Sequence, residues 1–248
     1  MPDALRLLNE LSAGHWLILI AAALLVGFSK TAIGGVMLIS VALFALVLPT
    51  KDSTGAVLLL LLTGDLVAVW LYRKHADWRL IVRLIVPVLV GIGLGAAFLA
   101  VVDDLVLRRT IGAILVGLLV VGFWREKLHP QHPAVGAGYG GLAGFTTMVA
   151  NAGGPPMNLY LLAAGYDKWR FLGTSAWFFF AVNLTKLPVS IGLGIVRPEL
   201  ALLAAVLVPV VLLGTWLGSL VIKRIDQRTF ERLVTVFVAI SAGYLLLS

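Results

Sequence analysis

Three ionisable side chains lie within strongly apolar stretches of this chain: Lys30, Asp65 and Lys186. A lysine at the centre of a bilayer costs roughly 2.5–3.5 kcal/mol on insertion scales, so such residues are usually paired or functional. Two lysines against one acid leave a surplus positive charge, which an anionic substrate would satisfy. The alternative interpretation is a buried lysine–aspartate pair that fixes packing, while the second lysine extends toward an interface.

Two glycine-rich loops supply most of the other candidate site residues. Each loop precedes a short apolar stretch that is predicted to form a half-helix. The start of a helix attracts anions because its first N–H groups have no partner within the helix. The alternative is that these glycines only let helices approach one another. The candidate substrate-binding residues are Ser29, Lys30, Thr31, Gly34, Gly35, Thr146, Asn151, Gly153, Gly154, Pro155, Asn183 and Lys186. Asp65 is the candidate for a coupling residue that carries a proton.

The loops interrupt two apolar stretches, Trp16 to Leu48 and Ala134 to Gly165, that are too long for one membrane crossing. As straight helices they would measure about 50 Å, against a hydrocarbon core of roughly 30 Å. Each stretch must therefore break or fold back within the membrane. A matched pair of broken segments in two halves of a chain is a sequence indication of a transporter binding site.

The composition excludes a soluble globular domain, since 60% of the residues are hydrophobic, 12% are charged and the mean hydropathy is +1.04. Further apolar runs of membrane-span length are Thr54 to Tyr72, Leu84 to Val102, Leu105 to Trp124, Phe171 to Val196, Leu200 to Ile222 and Leu233 to Ser248. The net charge of +7 is explained by basic residues at helix ends, so we expect a lipid bilayer and no nucleic acid as partner. There is no cysteine, and the four histidines lack metal-ligand spacing, so we expect no metal, cofactor or catalytic residue.

An internal repeat divides the chain into two halves. The pairs that match at an offset of 117 or 118 residues are Gly27 and Gly144, Phe28 and Phe145, Gly55 and Gly173, and Asp65 and Asn183. The pair Gly91 and Gly95 recurs, slightly further on, as Gly214 and Gly218. The predicted fold is an all-α polytopic membrane protein with a first repeat over residues 1–128 and a second over 129–248. Each repeat is a broken hairpin, 16–48 or 134–165, followed by three transmembrane helices.

The distribution of basic residues predicts that the repeats are inverted. If each broken segment returns to its side of entry, twelve basic residues lie on one face and five on the other, which is the bias that cytoplasmic loops show. If each broken segment crosses once, the same residues divide eight against nine. We therefore expect both termini outside and two hairpins that enter from opposite faces.

The second half carries the residues by which the chain resembles the sulfite exporter TauE/SafE family. They are the run Asn151 to Pro155, then Tyr160, Gly165, Lys168 and Phe171 to Thr174, and finally Asn183 with Lys186. The resemblance covers nearly the whole chain. It implies a bacterial transporter of sulfite or organosulfonates, aromatic ones such as toluenesulfonate included.

The function predicted from these observations is secondary transport of a small sulfur-containing anion across the bacterial inner membrane by alternating access. The two hairpin tips are expected to meet near the midplane and hold the anion. Alternatives are an anion channel, or a membrane-embedded acyl- or phospho-transferase whose glycine loops bind phosphate. We expect that the protein is not an enzyme. A transferase would need a general base near the loops, and Asp65 is the one candidate for that role in the sequence. The direction of transport, the coupling ion and the oligomeric state stay open.

Overall fold

The computed structural model describes residues 8, 11–102, 113 and 132–247, and within them every regular element is helical. The predicted span Leu105 to Trp124 lies outside the described residues, apart from residue 113. Short 3₁₀ turns follow the first and third helices, at Gly34–Val36 and Arg73–His75. The α-helices are α1 Ala13–Thr31, α2 Met37–Val47, α3 Thr50–Tyr72, α4 Trp78–Val101, α5 Pro133–Ala150, α6 Gly154–Ala163, α7 Lys168–Gly192, α8 Pro198–Arg224 and α9 Gln227–Leu247.

The first long apolar stretch breaks and folds back, as predicted. Helix α1 ends at Thr31, a single 3₁₀ turn begins at Gly34, and α2 then packs along α1, where the Ser40 hydroxyl donates to the Ala22 carbonyl at 2.7 Å. The two limbs differ in length, with 19 residues in α1 and 11 in α2. At 1.5 Å per residue they span about 28 Å and about 16 Å, so α2 alone is too short to cross a bilayer.

The second long apolar stretch has the same construction. Helix α5, of 18 residues, ends where Asn151 adopts the left-handed conformation with φ 53° and ψ 24°. Helix α6, of 10 residues, starts three residues later and returns along α5, so that the rings of Tyr139 and Tyr160 lie 5.6 Å apart. A long limb of about 27 Å is again followed by a short one of about 15 Å.

The chain forms two compact units, and each contains segments from both halves of the sequence. The first unit comprises Met1–Leu71 and Phe179–Arg224, and the second comprises Tyr72–Phe178 and Ile225–Ser248. The core of the first unit is a cluster of buried apolar side chains from α1, α2, α3 and α8, including Leu19, Phe44, Leu60 and Leu207. The proposed division into repeats at residues 128 and 129 stays a prediction.

Glycines allow two helices to approach closely in each unit. In the first unit, a Cβ on Gly27 of α1 would collide with the Val211 carbonyl oxygen of α8, and one on Gly214 with that of Leu24. In the second unit, a Cβ on Gly144 of α5 would collide with the carbonyl oxygen of Val88 in α4. Gly91 of α4 is placed in the same way against Gly141 of α5. The glycines that match in the sequence repeat therefore make equivalent backbone contacts in their own units.

Four helical stretches of the described residues are long and apolar enough to cross a membrane: Ala13–Thr31, Lys51–His75, Trp78–Val101 and Pro198–Arg224. They coincide with α1, α3, α4 and α8. Helix α7, of 25 residues, has the length but not the hydropathy, because its second half carries Asn183, Thr185 and Lys186.

Candidate functional site

A buried ion pair joins two of the three intramembrane ionisable residues in the first unit. The Lys30 ammonium, in the last turn of α1, lies 2.5 Å from Oδ1 of Asp65 in α3, whose side chain is fully buried. The lysine stem passes directly over Gly64, since a Cβ there would lie 2.9 Å from its Cγ. The Lys30 ammonium also lies 5.2 Å from the ring centre of Phe179, within the range of a cation–π interaction.

Asp65 has a second partner on α7. The side-chain amide of Asn183 donates to Asp65 Oδ2 at 2.7 Å, and both side chains are buried. These two residues are the pair that the sequence repeat aligns, so matching positions of the two halves contact one another here. Within the described residues, the Asn183 Oδ1 atom is buried and receives no hydrogen bond. An N–H or O–H donor or a water molecule can fill that position, whereas an anion oxygen cannot.

Lys186 lies one turn after Asn183 on α7, and it is 1% exposed. It interacts electrostatically with both Lys30 and Asp65. Among the described buried residues of the first unit, Asp65 supplies the one carboxylate. We call Lys30, Asp65, Asn183 and Lys186 the lysine cluster, and it combines two lysines with one carboxylate. Burial of a charged ammonium is costly, so a buried lysine either loses its proton or is stabilised by polar and negatively charged groups, and a bound anion is one such group.

Three of the predicted hydroxyl donors already use their hydrogen within the protein. Ser29 donates to the Val26 carbonyl at 2.7 Å, Thr31 to that of Thr215 at 2.8 Å, and Thr146 to that of Leu142 at 2.7 Å. In this arrangement each hydroxyl can only accept a further hydrogen bond. A direct role for them in anion binding stays a prediction, and it requires the hydroxyl to rotate.

The second loop, in the second unit, is built on the left-handed Asn151. Its N–H and that of Ala152 bond back to the carbonyls of Thr147 and Thr146 at 3.0 and 3.1 Å, which ends α5. The side chain of Asn151 is 4% exposed. Gly153 lies so close to α5 that a Cβ would be 2.8 Å from Cβ of Thr147, so the sharp turn requires glycine here.

The start of α6 offers fewer N–H groups than a usual helix end. Pro155 and Pro156 have none, and the Met157 N–H bonds to the Gly153 carbonyl at 3.3 Å. The donors that this turn can direct toward an anion are therefore the amides of Gly153 and Gly154. In the first loop, Gly34 and Gly35 form the 3₁₀ turn before α2. The expectation that both loops serve one anion stays a prediction.

Comparison with known protein families decides the identity of this helical protein. The family model of the sulfite exporter TauE/SafE matches residues 19–245. The chain belongs to the TauE/SafE family. Neither the curated proteins nor the solved structures that were compared contain a match to it. Membership together with the apolar helices makes this TauE/SafE chain a membrane transport protein.

Sequence reasoning missed two residues of the lysine cluster's surroundings in this TauE/SafE protein. Gly64 makes room for the stem of Lys30. The sequence feature that could have identified it is its position next to Asp65 within an apolar segment. Phe179 faces the Lys30 ammonium, but nothing distinguishes it in sequence from its aromatic neighbours.

Proposed function

We propose that this TauE/SafE protein is a secondary transporter, and not an enzyme, for a small sulfur-containing anion. The substrate class is sulfite or an organosulfonate, with aromatic sulfonates such as toluenesulfonate included. The observation that carries the proposal is the lysine cluster, in which a second lysine, Lys186, is buried beside the Lys30–Asp65 ion pair. A sulfite or sulfonate group carries the negative charge that a site with two lysines attracts, and its oxygens accept hydrogen bonds from an ammonium.

The proposed mechanism is alternating access in the bacterial inner membrane. Two inverted repeats, each with its broken hairpin, would move against one another about the anion. No Gly-x-x-x-x-Gly-Lys-Ser/Thr loop for ATP occurs in the sequence, so the energy would come from a gradient.

Asp65 would couple anion binding to a proton. Protonation of this carboxyl removes the counter-charge of Lys30 and makes the cluster more positive by one charge. A proton and an anion therefore favour one another's binding, and the coupling is reciprocal. We expect the affinity for a permanently charged sulfonate to rise as the pH falls through the range in which Asp65 takes up its proton.

The decisive experiment compares Lys186→Met with Lys223→Met, an exposed lysine at the end of α8 that serves as a matched control. Purified protein in detergent is heated with sulfite, sulfate, thiosulfate, methanesulfonate or toluenesulfonate, since binding to the folded state raises the melting temperature. One hydrogen bond to a charged group is worth roughly 1.5–3 kcal/mol, so Lys186→Met should weaken the binding of its preferred anion about 10- to 150-fold. Lys223→Met should bind like the wild type.

Transport assays in proteoliposomes then separate the alternatives. A transporter exchanges labelled for unlabelled anion with saturation, whereas a channel passes current without saturable counterflow. Acyl or phosphoryl transfer by the wild-type protein, abolished in Asp65→Asn, would favour the transferase. Wild-type anion affinity in Lys186→Met would contradict the proposed role of that lysine.

A further inference from the structure

A second charged site lies in the second unit and shares no residue with the lysine cluster. A cavity of about 280 Å³ opens at the beginning of α4 and α7 and near the end of α6. Its polar lining consists of Asp77, Arg79, Arg83, Tyr160, Tyr166 and Arg170. We call it the arginine pocket. Its volume is near the lower end of the roughly 300–1,000 Å³ typical of small-molecule sites.

Asp77 fixes one wall of the arginine pocket. Its carboxylate accepts hydrogen bonds from the Tyr166 hydroxyl at 2.5 Å, the Arg170 guanidinium at 2.6 Å and the Leu80 amide at 3.2 Å. Burial alone would raise the pKa of Asp77, but these hydrogen bonds hold its pKa below the usual range. The carboxylate therefore stays ionised at neutral pH and offsets the charge of Arg170.

The lining of the arginine pocket is positive overall, because three guanidinium groups face one carboxylate. Arg79 and Arg83 lie four residues apart on α4, so they project from the same face of the helix, where like charges repel. A Cβ placed on Gly136 would lie 3.2 Å from the Tyr160 hydroxyl and 3.8 Å from Arg83 Nε. The Tyr160 hydroxyl and the Arg83 guanidinium therefore lie close to one another, next to Gly136. Guanidinium forks beside a phenol form a donor set suited to an oxyanion.

We propose that the arginine pocket binds a tetrahedral oxyanion of the sulfate or phosphate type. The ligand is either a soluble anion or the headgroup of an acidic lipid, since the pocket lies at the end of the apolar helix Trp78–Val101. Both sources present negatively charged oxygens in the geometry that arginine recognises in pairs. This inference does not depend on which anion the protein transports.

The test measures the reactivity of individual arginines in the purified full-length protein. Phenylglyoxal modifies exposed guanidinium groups, and peptide mass spectrometry gives the rate at each position. Sulfate at about ten times its Kd, with chloride of equal ionic strength as reference, should slow modification of Arg79, Arg83 and Arg170 roughly tenfold. Arg73, an exposed arginine of the preceding turn that does not line the pocket, should react at an unchanged rate.

A pair of double variants tests whether the pocket itself holds the ion. Arg79→Gln/Arg83→Gln should abolish the protection of Arg170 by sulfate. Arg73→Gln/Lys74→Gln, which removes the same charge outside the pocket, should preserve it. Equal protection of Arg170 in both variants would overturn the proposal.

Nanodiscs distinguish the two sources of the ligand. Protection in phosphatidylglycerol but not in phosphatidylcholine, without added sulfate, would assign the pocket to a lipid headgroup. Protection by sulfate in phosphatidylcholine would assign it to a soluble anion. Protection in neither condition would overturn the site, while leaving anion binding at Lys186 and transport unaffected.

Discussion

The Asp65 carboxylate has two partners: it neutralises the charge of Lys30 and accepts a hydrogen bond from Asn183. A carboxylate in a fully buried position is stable only with such partners. The same contacts make it sensitive to a proton, since protonation leaves Lys30 without its counter-charge. Structural and coupling roles are thus compatible in this residue, and they can be separated only by variants that keep the protein folded.

A double-mutant cycle on Lys30 and Asp65 provides that separation. Asp65→Asn strands a largely buried ammonium, and breaking a buried pair in this way costs about 3–5 kcal/mol. Lys30→Met added to Asp65→Asn removes the stranded charge and should restore most of the lost thermal stability. Additive losses in the double variant would show that the pair makes no energetic contribution.

The stable double variant then tests the coupling role. If Asp65 carries the proton, the variant should lose accumulation driven by a pH gradient and retain counterflow exchange, which needs no net proton movement. The transport readout is uptake of labelled sulfonate into proteoliposomes. Normal gradient-driven uptake would assign the proton to another group.

The predicted role of Asn151 in anion binding can be tested separately from its role in the turn, because its left-handed backbone tolerates glycine better than alanine. Asn151→Gly removes the side chain and keeps the turn, so it should melt near the wild-type temperature and show weakened sulfonate binding if the amide contacts the anion. Asn151→Ala adds backbone strain of about 1–2 kcal/mol and should melt lower. Wild-type affinity in a stable Asn151→Gly protein would limit this residue to ending α5.

At the scale of elements, both units contain the same kind of helix pair. In each, the long limb of a hairpin packs against a helix that contains a proline. The partners are α1 with α8 and α5 with α4, and the prolines are Pro209 and Pro87. Glycine at the crossing lets the two backbones touch, which is the usual way that membrane helices pack closely.

Gly91→Ala and Gly93→Ala test the crossing on one helix. A Cβ at Gly91 collides with the backbone of α5, whereas one at Gly93 meets nothing within 4 Å. We expect Gly91→Ala to lose about 1–3 kcal/mol through overpacking, or more if the backbone cannot shift. Gly93→Ala should be neutral or slightly stabilising, because alanine is the better helix former. Equal melting temperatures for the two variants would contradict the crossing.

At the scale of the whole molecule, basic residues gather at helix ends. In the second unit the Lys168 ammonium contacts the Ile225 carbonyl, and Arg170 pairs with Asp77, so three loops with basic residues meet at one end of that unit. In the first unit Arg197 pairs with Asp52 at 2.6 Å, beside Lys51. The charge count assigned the first of these groups to one membrane face and the second to the other, and that assignment stays a prediction.

The orientation in the membrane follows as a prediction. Cysteines at Lys74 and Arg228 should react with an impermeant maleimide only from the cytoplasm, and cysteines at Lys51 and Arg197 only from outside. The measurement is labelling in intact cells against inverted vesicles. Labelling of positions 74 and 228 from opposite faces would contradict the inverted-repeat arrangement.

The sequence was sufficient for the parts of this protein that depend on chain chemistry alone. Apolar runs predict membrane helices, and glycine-rich loops at the centre of two long runs predict their breaks, because these properties are local. The resemblance of the second half to the TauE/SafE family was also confirmed, since the family model covers most of the chain. The interior lysines and acid were identifiable because charge is rare in such segments.

Only the tertiary structure decided which of these residues meet. Sequence left open whether Lys30 or Lys186 pairs with Asp65, since both lie far from it along the chain, and packing of α1 against α3 selected Lys30. It gave no sign that Ser29, Thr31 and Thr146 already donate to carbonyls, because a hydroxyl's partner depends on its rotamer. It also left the arginine pocket unseen, since Arg79, Arg83 and Arg170 become one site only when the ends of α4 and α7 are brought together.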